Sequence, residues 1–120
     1  MNRELSDYVS EKSRQLMEAP TCCAEAKAAA AAWLEAVGTD QEAGETRRYL
    51  AELEADIVTA KGLELFAESE AGAGVFGADA PHVAAHARDL QAAGKLYCDC
   101  PACVAVEAIL EKKDELLKDI

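Results

Sequence analysis

The sequence predicts an all-α protein, a compact bundle of about six helices with no sheet. Three observations carry this expectation. Helix-forming residues dominate the chain, apolar residues recur at three- and four-residue steps, and no run of β-branched residues alternates with polar ones. The first helix is expected over about Glu4–Glu18, with Leu5, Val9, Leu16 and Met17 on its inner face. Pro20 in "APT" stops it, because proline cannot continue the hydrogen-bond ladder. Thr21 is placed to cap a second helix that runs to Val37 and ends at Gly38, a residue suited to a left-handed C-terminal position. The inner face of this helix reads Cys22, Ala26, Ala30, Trp33 and Val37, and its alanines suggest that another helix approaches closely.

Thr39 and Glu42 have the spacing of a capping box at the start of a third helix. Ala43, Thr46, Leu50, Leu53 and Ile57 then form a bundle face, too short for an extended coiled coil. A short fourth helix is expected around Leu63–Ser69. A fifth opens at Asp79 and Pro81 and ends at Gly94, and a sixth starts at Pro101 and runs to about Lys118. Between the fourth and fifth, "GAGVFG" spells G-x-G-x-x-G. The dinucleotide fingerprint needs a strand before it and a helix directly after it. Here the preceding "LELFAESEA" reads as helix, so the stretch is expected to be a mobile loop with Val75 and Phe76 tucked onto the core.

At 120 residues the chain is expected to form one domain, residues 1–120. A core of that size gains from a metal, a staple, a protein partner or a second copy of the chain. Lys and Arg number 12 against 23 Asp and Glu, a formal charge of −11. Nucleic-acid binding needs a basic footprint, and anionic membranes are disfavoured for the same reason, so neither is an expected partner. No window reaches the roughly 18 apolar residues of a membrane span. The opening "MNRELSDYVSEK" lacks a basic region followed by an apolar core, so no secretory signal is expected and the location reads as cytoplasmic. There are five cysteines, an odd number. In a reducing compartment this favours metal binding or thiol chemistry over a disulfide framework.

Three of the cysteines fall in "YCDCPAC". Pro101 at the first helical position puts Cys100 at the N-cap and Cys103 at the third helical residue, where the positive end of the helix favours thiolates. Cys98 adds a third sulfur. Three adjacent thiolates repel one another, and a cation resolves the repulsion. C-x-C-x-x-C supplies three of the four ligands of a structural zinc site. The fourth is open among Cys22, Cys23, His82 and His86. Cys22 ranks first, as a sulfur at a helix start that borders the Ala/Trp face. His86 ranks second, on an inward face with Val83 and Leu90, although a buried hydrogen-bonded role suits it as well as ligation. His82 lies at the edge of that face and reads as a solvated position.

Redox chemistry is the main alternative, because C-P-x-C at a helix start is the arrangement of thioredoxin-like dithiols. Those folds place a strand before the helix, and no strand is predicted here. An iron–sulfur cluster also uses four cysteines, but its usual spacings differ. Inert buried cysteine is the third reading. No Ser–His–Asp arrangement is legible, and two histidines leave few general bases.

The stretches "APTC", "AAWLEAVGT", "YLAELEADI", "FGAD" and "YCDCPACVAVEAILEKK" together resemble a group of short bacterial helical proteins, commonly labelled heat-shock protein or ninety-kilodalton-chaperone-like. The likeness runs over nearly the whole chain, and C-D-C-P-A-C is its most specific part. It implies a stress-related role and places Cys22, Cys98, Cys100 and Cys103 at family positions. It brings no ATPase activity, since no strands are predicted for an ATP-binding sandwich. Three functions follow as expectations: a metal-binding helical protein, a thiol redox protein acting through Cys100 and Cys103, or a helical adaptor or chaperone-like module.

Overall fold

The computed structural model describes residues 3–20 and 22–118. It is all-helical, with no sheet among these residues. The chain forms two compact units: residues 1–57 together with 100–120, and residues 58–99.

The first unit holds α1 (Arg3–Glu18), α2 (Ala24–Ala36), α3 (Glu42–Asp56), and, after the second unit, α7 (Pro101–Leu110) and α8 (Lys113–Lys118). Its core joins Leu5, Val9 and Leu16 of α1 to Ala26, Ala30 and Trp33 of α2. Tyr49, Leu50 and Leu53 of α3 complete it with Val106 and Ile109 of α7 and Leu116 of α8. Ala26 and Ala30 of α2 are buried as expected, and their small side chains let the neighbouring helices come close. Four buried polar side chains of this core, Trp33, Thr46, Tyr49 and Ser13, are paired. Trp33 Nε1 donates to Thr46 Oγ1 at 2.9 Å, and Trp33 and Tyr49 stack with ring centroids 5.8 Å apart. Tyr49 Oη and Ser13 Oγ share a hydrogen bond of 2.7 Å, and Ser13 Oγ also donates to the Val9 carbonyl. Burial pushes the Tyr49 phenol up to about 12, against a smaller opposite effect of Ser13.

Local details depart from the expectations in four places. Thr21, the expected cap of the second helix, lies outside the described residues, and the N-cap of α2 is Cys23. The Thr39–Glu42 capping box does not form, because both side chains serve the turn that leaves α2. Thr39 Oγ1 donates to the Ala36 carbonyl at 2.6 Å and accepts from Gln41 N–H, while the Glu42 carboxylate accepts from Gly38 N–H at 3.2 Å. The last expected helix is broken in two after Leu110 by a turn in which Lys112 N–H reaches back to the Ile109 carbonyl.

The fourth departure lies in the second unit. There "EAGAGVF" is a helix, α5 (Glu70–Phe76), and not a mobile loop. It follows α4 (Ala60–Glu68) at Ser69, whose hydroxyl accepts from Gly72 N–H at 3.1 Å as an N-cap. Gly72 allows the tight turn: a Cβ there would stand 1.8 Å from the Phe66 carbonyl oxygen. Gly77, at φ +58°, ends α5, and a 3₁₀ turn over Gly77–Asp79 leads into α6 (Ala80–Ala92). The glycines of G-x-G-x-x-G therefore shape a helix–helix corner, with no strand before them. Val75 is 69% exposed, while Phe76 packs edge-on against Phe66.

Candidate metal centre

Two kinds of local structure bring the cysteines of "YCDCPAC" into position. After α6 the chain turns at Gly94 and runs extended. Ala60 N–H donates to the Leu96 carbonyl at 2.9 Å and Cys98 N–H to the Val58 carbonyl at 2.8 Å, with Thr59 and Tyr97 paired antiparallel between them. Cys98 thus sits on a segment whose backbone is fixed by its own unit. Two residues later the backbone enters α7. Cys100 is the N-cap, in extended conformation, and Pro101 is the first helical residue, as the sequence predicted. The Cys100 sulfur accepts from Cys103 N–H at 3.4 Å, which places Cys103 one turn along.

As a result the sulfurs of Cys98, Cys100 and Cys103 all lie within 4.8 Å of one another. They come from six consecutive residues, so the grouping is a property of local backbone conformation. Three thiolates on one zinc, at about 2.3 Å each, stand about 3.8 Å apart in a tetrahedron. The observed spacing, all within 4.8 Å, is of the same order. Cys103 is 7% exposed, and Cys98 and Cys100 are half-buried. The triad can hold a metal ion, and the start of α7 contributes the positive end of its dipole to bound thiolates.

The other expected ligands are placed differently. Cys22 packs half-buried against the same core as Cys100. It precedes the N-cap by one residue, and its sulfur turns to the Cys23 carbonyl at 3.4 Å. Its thiol is pushed up, first by burial and then by neighbours that include Cys23, Asp56 and Cys100. The expected dipole stabilisation of a Cys22 thiolate is therefore not what its position provides. Its sulfur stands outside the 4.8 Å grouping. Cys23 is exposed, and its side chain makes no cap hydrogen bond.

His82 is exposed, as expected. His86 is exposed too, not inward-facing: α6 buries Ala80, Ala84 and Ala87, with Val83 and Leu90 half-buried beside them. It is hydrogen-bonded nonetheless: its Nε2 lies 2.9 Å from both carboxylate oxygens of Asp99, the residue between Cys98 and Cys100.

Two carboxylates escaped the sequence reading. Asp99 was hidden as a spacer in the cysteine motif. Asp56, at the end of α3, carries an Oδ2 that is buried without a hydrogen-bond partner among the described residues. It raises the pKa of Glu52, its neighbour one turn back, and contributes to raising those of Cys22 and Cys23. The signal available was the Glu52–Asp56 like-charge pair at i, i+4, which a helix tolerates at a cost.

Comparison with protein-family models, with curated proteins and with solved structures finds no match to this chain. No helix of the described residues is long and apolar enough to cross a membrane.

Proposed function

We propose that the protein is a small metal-binding helical protein whose ion is zinc, held by Cys98, Cys100 and Cys103. The observation that carries this reading is the grouping of three sulfurs within 4.8 Å at the start of a helix. Cys22 is the fourth ligand in this reading, since it shares a core with Cys100. His86 is the alternative fourth ligand. A cytoplasmic location and a stress-related role belong to the same proposal, with the acidic chain acting alone or beside a protein partner or second copy, and away from nucleic acid and membranes.

The test is elemental analysis of protein purified without chelator, followed by the variants Cys22→Ala, His86→Ala and Cys98→Ala. One zinc per chain, lost with Cys98→Ala and weakened by one of the other two, supports the reading. A protein that takes up no zinc even when reduced and supplied with it refutes the reading.

A redox function is favoured by a different observation, the Cys100 sulfur at an N-cap with Cys103 one turn on. Thiol counting before and after mild oxidant separates the two: a reversible Cys100–Cys103 disulfide in metal-free protein supports redox use.

A further inference from the structure

We propose that the Cys98–Cys100–Cys103 triad is a three-coordinate site for trivalent arsenic, taken up as arsenous acid. The inference rests on the reading of the triad as a ligand set and goes beyond it by naming a ligand that three sulfurs satisfy. The grouped ligand atoms are the three sulfurs of this one segment, and Cys22 and His86 stand outside the group. Three mutually close sulfurs define a triangle. Zinc above a triangle still requires a fourth donor. Trivalent arsenic does not, because its lone pair occupies the fourth direction and its bonds to three thiolates form a trigonal pyramid. Soft thiolates are the ligands such a centre prefers.

Access and charge agree. Cys98 and Cys100 are half-buried and Cys103 is buried, so the triad is neither fully exposed nor sealed inside the core. Arsenous acid is uncharged at neutral pH, so a chain of formal charge −11 does not repel it as it would an oxyanion. The chemistry balances without a redox partner. Three As–O bonds break and three As–S bonds form, and each thiol proton leaves with a hydroxyl as water. Arsenic stays trivalent, and the sulfurs stay reduced.

The experiment uses the full chain, reduced and stripped of metal, and mixes it with sodium arsenite. Arsenic retained after desalting is measured beside the number of reactive thiols, with a parallel zinc arm. The expected result is one arsenic per chain and three thiols withdrawn. Both are lost in Cys98→Ser and in Cys100→Ser and kept in Cys22→Ser, with circular dichroism showing each variant folded. Zinc retained with no arsenic overturns the arsenic assignment while leaving the metal reading intact. Retention of neither overturns both. Arsenic retained by wild-type protein with fewer or more than three thiols withdrawn, or lost in Cys22→Ser, overturns the three-coordinate site. Because stoichiometry is read on the wild-type chain, the test stands even where a variant fails to fold.

Discussion

Replacing Gly72 by alanine tests the helix corner of the second unit. A Cβ at this position would lie 1.8 Å from the Phe66 carbonyl oxygen, 2.7 Å from its carbon and 2.8 Å from Ala67 Cα. All three are backbone atoms, so no side-chain rotation relieves the clash. The last turn of α4 must move away from α5 by more than about 1 Å to restore ordinary contact, which is overpacking of the kind that costs about 1–3 kcal/mol. Replacing a helical glycine by alanine returns about 0.5–1 kcal/mol, so the net loss is about 1 kcal/mol. Gly74 is the control. It lies in the same helix, and a Cβ there would meet nothing within 4 Å, so Gly74→Ala should gain about 0.5–1 kcal/mol. Urea unfolding followed by circular dichroism reads both variants. A Gly72→Ala protein as stable as wild type would refute the close approach of α4 and α5.

Thr46→Val keeps the shape of a fully buried side chain but strands the Trp33 indole N–H, and should cost about 1–3 kcal/mol in denaturant unfolding, with a change in the emission of the sole tryptophan. Tyr49 should ionise near pH 12 in the folded protein and near 10 when unfolded. Its contribution is therefore fully present below pH 10, and about 3 kcal/mol is lost as pH rises through 12, which phenolate absorbance and alkaline stability curves would check. If zinc is structural, chelation should lower the melting temperature, because binding is coupled to folding, and an unchanged melt after verified metal removal would argue against that role.

Long helices with strong periodicity were legible because their buried positions are set by local pattern: Val9 and Leu16, Ala26, Ala30 and Trp33, and Leu50 and Leu53 all lie in the core. The helix over Glu70–Phe76 was not, since two glycines depress its propensity and what holds it is a cap and a close contact with α4. Nor was the break after Leu110, where Glu111 and Lys112 carry no turn signal. The cysteine triad was readable for the opposite reason, being local: proline fixes the helix start, and the start fixes the sulfurs. His86 was misplaced because α6 buries its alanine face, a choice made by packing. The roles of Asp56 and Asp99 depend on tertiary neighbours that no spacing announces.

The antiparallel pairing of residues 58–60 with 96–98 also bears on the order of assembly. It ties together the two ends of the second unit, through which the chain leaves α3 and later arrives at α7. Without that clasp, bringing α7 onto α3 means closing a loop of about 40 residues. Once the intervening unit has folded, the closure spans only a few residues, and the entropic cost falls by about 2 kcal/mol. Folding of residues 58–99 would then act as a template that speeds docking of the C-terminal helices, and loosening of the clasp would be felt as slower refolding before it was felt as lost packing.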